Sequence, residues 1–120
     1  MSIKTCDDIV RDAKSRIREV QPAEVKTMLE QGEKRVFLDV REPNEFNLGH
    51  LPGAVHVPRG SLELRIEAAV PREARIVVYC SAGLRSAMAA DTLQEMGYGD
   101  VVSMAGGWRE YVPTGGPVEG

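Results

Sequence analysis

The segments Val36-Phe37-Leu38-Asp39-Val40 and Ile76-Val77-Val78-Tyr79 are apolar on successive positions and do not alternate with polar residues. A strand with one face in water alternates; a strand written this way needs cover on both faces, which is the habit of a parallel sheet clothed by helices. Helix-type stretches separate the apolar runs. Pro22 opens one that lines up Val25, Met28 and Leu29 and stops at Gly32. Ser61 reads as the N-cap of a second, which buries Leu62, Ile66, Ala69 and Val70. A third runs from about Ser86 to Met96 with Gly97 as its stop. Val101-Val102-Ser103 supplies a further strand, and short extended pieces are expected at Ile17 to Val20 and Ala54 to Val57. Strands alternating with helices predict an α/β fold with a parallel sheet. In such sheets ligands bind beyond the carboxyl ends of the strands, and Cys80 stands at that end of Ile76–Tyr79.

Other segments read less sharply. Thr5 followed by Asp8 is a capping-box pattern, and Cys6, Ile9, Val10, Ala13 and Ile17 fall at helical spacing. That register favours a buried or half-buried packing role for Cys6 over service as a second thiol beside Cys80. Glu42-Pro43-Asn44 and Leu51-Pro52-Gly53 read as turns, and the tail from Pro113 to Gly120 reads as loose at its end.

A chain of 120 residues favours one domain with one core, built from aliphatic side chains because aromatics make up only 5 %. No apolar run approaches the roughly 20 residues that span a bilayer, and MSIKTCDDIVRDAK holds no signal-peptide core. A net charge of −3 argues against a nucleic-acid platform. Two distant cysteines form neither a disulfide scaffold nor a zinc pattern, and two histidines add no metal-ligand spacing. The expectation is a cytoplasmic protein with no membrane, nucleic-acid, metal or cofactor requirement.

Chemistry concentrates in Cys80-Ser81-Ala82-Gly83-Leu84-Arg85-Ser86. Small residues leave backbone N–H groups free to point into one concavity, an anion nest. The helix that follows adds partial positive charge and Arg85 a full one, all of which favour a thiolate at Cys80.

Three stretches in order resemble the rhodanese, or sulfurtransferase, family: Leu38-Asp39-Val40-Arg41-Glu42 with Glu45-Phe46 and Gly49-His50-Leu51-Pro52-Gly53-Ala54; Tyr79-Cys80 through Arg85-Ser86; and Gly106-Gly107-Trp108. The resemblance covers about residues 17 to 120 and leaves 1–16 as an N-terminal helical extension. It implies a three-layer fold with a five-stranded parallel sheet flanked by helices on both faces. It also implies that Cys80 carries sulfur as a persulfide, and that Ser81, Ala82, Gly83, Leu84 and Arg85 form the cradle. Many members have an arginine where this chain has Ser81, which removes one charge near the substrate and leaves the preferred donor open.

The remaining polar residues read as support. Asp39 holds turn N–H groups, Arg41 pairs with Glu42 or Glu45, His50 belongs to a turn, and His56 and Trp108 pack. Arg59 is placed near the site mouth. The leading expectation is transfer of sulfane sulfur from an anion such as thiosulfate to cyanide or a thiol. One alternative is a persulfide carrier or regulatory module loaded by a partner protein. Another is a phosphatase, whose loop in related proteins is one residue longer than Cys80–Arg85.

Overall fold

The computed structural model describes residues 3–120. Five parallel strands form one sheet in the order β1-β5-β4-β2-β3, with β1 Arg18–Val20, β2 Val36–Asp39, β3 Val55–His56, β4 Arg75–Tyr79 and β5 Asp100–Met104. Six helices accompany them: α1 Cys6–Arg16, α2 Pro22–Glu30, α3 Pro43–Asn47, α4 Leu62–Ala69, α5 Leu84–Glu95 and α6 Gly107–Tyr111. The sheet is therefore the three-layer α/β arrangement that the apolar runs require.

Both faces of β4 are buried, and its side chains divide between two cores. Ile76, Val78 and Cys80 face a cluster with Leu62 and Ile66 of α4 and Ala89, Ala90 and Leu93 of α5. Val77 and Tyr79 face the opposite cluster with Val25 and Met28 of α2 and Tyr111 of α6. The small residues on α5 let it lie close to the sheet, and α1 packs outside through Val10 and Ala13.

Four expectations change in detail. Glu42-Pro43-Asn44 is no free turn but the start of α3, where Pro43 takes the first helical position and Glu45 reaches back to the Glu42 N–H. Ser61 stands before α4 without capping it, because a 3-10 turn over Arg59–Ser61 precedes the helix and the Ser61 hydroxyl donates to Pro58 O. α5 begins at Leu84, two residues before the expected start, with Gly83 as its left-handed N-cap. The tail is fastened: His50 and Glu119 exchange backbone hydrogen bonds at 2.9 Å each, and the Tyr111 hydroxyl donates to Pro117 O.

Among the described residues, no helix is long and apolar enough to cross a membrane.

Candidate active site

β4 ends at Tyr79 and delivers Cys80 to the central position of the sheet's carboxyl edge. Its side chain is 1 % exposed. Gly83 N donates to Cys80 Sγ at 3.2 Å and Ser86 N at 3.3 Å, so the first turn of α5 aims two N–H groups at the sulfur. The Ser86 hydroxyl lies 3.4 Å from Sγ and accepts a hydrogen bond from the Ser103 hydroxyl at 2.9 Å. When Sγ is ionised, the Ser86 hydroxyl can turn its proton onto it, with Ser103 holding the far side. The buried serine pair was not legible in the sequence, since Ser103 is a strand residue 17 positions away that the fold brings beneath Ser86.

The loop is braced from both sides. On one, Glu45 accepts from the Ser81 hydroxyl at 2.7 Å and from Arg85 at 2.8 and 3.1 Å. The Arg85 guanidinium, resisted by some burial and helped by Ser81, holds the Glu45 carboxyl down to about 2. Arg85 is therefore an arginine whose charge is already answered. On the other side, Trp108 N donates to Cys80 O at 2.8 Å and Arg109 N to Ser81 O at 3.0 Å. A Cβ on Gly107 would lie 2.5 Å from Cys80 O, so only glycine lets α6 approach the back of the loop this closely.

Asp39 and Arg41 lie away from this cavity and form a buried ion pair. Arg41 donates to both Asp39 oxygens at 2.7–3.1 Å and to Gly49 O at 2.7 Å. Its guanidinium lies 4.9 Å from the Trp108 ring centre. The expected Arg41 pairing with Glu42 or Glu45 is thus corrected: Glu45 belongs to Arg85, and Asp39 neutralises Arg41. His56 hydrogen-bonds Arg41 O at 2.8 Å and His50 hydrogen-bonds Phe46 O at 3.0 Å. Arg59 bonds Glu63 and Thr92 on α4 and α5 and does not line the Cys80 cavity.

That cavity, of about 360 Å³, is lined by Cys6, Cys80, Ser81, Ala82, Leu84, Arg85, Met88 and Arg109. It lies at the small end of ligand pockets, which run roughly 300–1,000 Å³. Arg109 is exposed and, unlike Arg85, has no carboxylate partner among the described residues. Cys6 is exposed rather than packed, because Val10 and Ala13 make the buried face of α1 and leave Cys6 toward the cavity. No signal in the sequence placed either residue here: α1 and α6 come from opposite ends of the chain. Among the described residues, no group of three or more His, Cys, Asp or Glu could hold a metal ion.

The family model for the rhodanese-like domain matches residues 21–114. A Bacillus subtilis protein named "Putative sulfur carrier protein YrkF" is 34% identical over 81% of this chain, which spans about half, 52%, of that relative's length. The thiosulfate sulfurtransferase GlpE of Pseudomonas fluorescens is 34% identical, over 83% of this chain and 92% of its own. A solved structure from Rhodopseudomonas palustris, described as a protein of unknown function and possible tyrosine phosphatase, aligns with a TM-score of 0.89 at 32% identity. It covers 99% of this chain and 98% of that one, so the likeness extends over α1.

Proposed function

Because the chain belongs to the rhodanese-like domain family, we propose that it moves sulfane sulfur from an anion such as thiosulfate to cyanide or a thiol through a Cys80 persulfide. The observation that carries this reading is the Cys80 sulfur itself, fixed by two α5 N–H groups at the floor of a small cavity. The Cys80 thiolate attacks the outer sulfur of thiosulfate; the donor's S–S bond breaks and sulfite leaves with the electron pair. An acceptor then attacks the outer sulfur of the persulfide, and the pair returns to Cys80, where the Gly83 and Ser86 N–H groups meet the charge. Two half-reactions through a covalent intermediate predict ping-pong kinetics. Ser81, Ala82, Gly83, Leu84 and Arg85 shape the cradle, Asp39 and Arg41 support it, and residues 1–16 are an extension whose helix completes one wall.

Arg109 answers the question raised by Ser81. Glu45 neutralises Arg85, so among the described residues the cavity-lining cation without a carboxylate partner is Arg109, supplied by α6 instead of by the residue after the cysteine.

The name of the Bacillus subtilis relative supports a second reading, a persulfide carrier loaded by a partner protein. The description of the Rhodopseudomonas palustris structure raises a third, phosphate hydrolysis. Against it, both terminal nitrogens of Arg85 bond Glu45, whose negative charge opposes a phosphate dianion. Intact mass spectrometry separates the three. Thiosulfate should add the mass of one sulfur atom, cyanide should remove it, and Cys80→Ser should never gain it. Loading by a protein persulfide but not by thiosulfate selects the carrier. Brisk hydrolysis of aryl phosphates with no sulfur adduct would sink the proposal.

A further inference from the structure

Cys80 is buried, yet the acceptor in a thiol-directed reaction must reach its sulfur, and the same cavity holds a second thiol at its exposed rim. We propose that Cys6 takes the sulfur from the Cys80 persulfide and presents it to a protein or peptide thiol too bulky to enter the cavity. The proposal rests on the Cys80 persulfide reading.

Cys6 is held in place and does not ride on a loose end. It is the first residue of α1, whose N-terminus is closed by reciprocal Thr5 and Asp8 bonds at 3.1 and 2.9 Å. The helix is bolted to α5: Arg16 forms a two-pronged pair with Asp91 at 2.9 and 2.8 Å, and Gln94 donates to Arg16 O at 2.9 Å. Val10 and Ala13 are buried beneath it. These contacts set Cys6 on the cavity wall with Arg85, Met88 and Arg109. Its seat at the start of α1 leaves it exposed at the rim of the cavity that Cys80 also lines.

The exchange balances without any other reagent. The Cys6 thiolate attacks the outer sulfur of Cys80–S–SH, a bond forms between Cys6 Sγ and that sulfur, and the Cys80 S–S bond breaks. The electron pair stays on Cys80, and the Cys6 proton replaces the one that leaves with the transferred SH. One thiol and one persulfide become one persulfide and one thiol, with no net oxidation. Geometry selects the outer sulfur. The inner one is Cys80 Sγ, enclosed by Gly83, Ser86 and their N–H groups, while the outer one projects into the cavity that Cys6 lines. The same N–H groups stabilise Cys80 as the departing thiolate, which speeds such exchanges.

The test is to load the full chain with thiosulfate, cap persulfides with an alkylating agent, digest without reductant and locate the added sulfur by mass spectrometry. The proposal expects capped persulfide on both the Cys6 and the Cys80 peptides. It expects Cys80 alone to carry sulfur in Cys6→Ser, and neither peptide to carry it in Cys80→Ser. Sulfur confined to Cys80 in the unmodified chain overturns the relay but leaves the Cys80 reading standing. Loading of Cys6 in Cys80→Ser overturns it as well, because Cys6 would then draw on the donor directly. A Cys6–Cys80 disulfide with release of sulfide overturns it in favour of attack on the inner sulfur. Sulfur on neither cysteine in the unmodified chain removes the persulfide reading itself.

Discussion

Arg85 and Arg109 both line the Cys80 cavity, but Glu45 pairs with the first, and among the described residues no carboxylate pairs with the second. Arg109→Gln is therefore expected to raise the KM for thiosulfate by about tenfold, the worth of one charge-assisted hydrogen bond near 1.5 kcal/mol. Steady-state kinetics with thiosulfate check this, and an unchanged KM would remove Arg109 from donor binding. Asp39→Ala should act differently. It strands the Arg41 guanidinium in the core, and breaking a buried pair from one side costs about 3–5 kcal/mol. Denaturant unfolding should show that loss; full stability with lost sulfur transfer would make Asp39 a chemical residue after all. At this scale the place of Cys80 at the carboxyl edge of the sheet was legible, since a strand end, small residues and a helix start are contiguous. The sequence also pointed to a supporting Asp39. It could not announce that Arg41 pairs with Asp39, that Ser103 lies under Ser86, or that Cys6 and Arg109 meet at one cavity. Each of those depends on packing between elements remote in the chain.

The Cys80–Arg85 loop keeps its shape because neighbouring elements hold both of its ends. α3 contributes Glu45, and α6 donates two N–H groups to the carbonyls of Cys80 and Ser81. Gly107 is the hinge of the second contact, at φ 63° and with backbone atoms 2.5–2.6 Å from where a Cβ would stand. Gly107→Ala must push α6 away from the loop. We expect a lower melting temperature together with slower persulfide formation at Cys80, read by calorimetry and by the rate of sulfur-mass gain. A variant that melts lower yet loads at the normal rate would show that α6 does not shape the cradle. The main elements were legible because β2 and β4 carry apolar residues on successive positions, Pro22 opens α2, and Gly32 and Gly97 follow the ends of α2 and α5. α3 was not: five residues opening Pro-Asn are written in the same residues as a turn, and Glu45 takes its meaning from a loop 36 positions away. The tail read as loose because glycine and proline dominate it, but the bridge to His50 is a tertiary contact with no local signature.

Across the whole molecule, carboxylates tie helices to one another: Glu45 joins α3 to the start of α5 through Arg85, and Asp91 joins α5 to α1 through Arg16. Arg85 holds Glu45 down to about 2, from 4.5 for an unpaired carboxyl, and Arg16 likewise holds Asp91 below its ordinary value of 3.8. A folded-state value below the unfolded one means that folding favours the ionised form. The stability from each pair is then complete above the unfolded value and is lost as pH falls through the folded one. For Glu45 that window runs from about pH 4.5 down to about 2. The melting temperature should therefore hold steady from neutrality to about pH 5 and fall steadily below it. Glu45→Gln keeps the side chain's size but cannot lose a charge, so its curve should start lower and fall less steeply across the same window. Because the pair that titrates is also the one that braces Ser81 and Arg85, persulfide formation measured at constant temperature should decline along with stability in the unmodified chain. Superimposable acid profiles for the two proteins would mean that other carboxylates carry the acid response, and that the Glu45–Arg85 brace adds little to the stability of the fold.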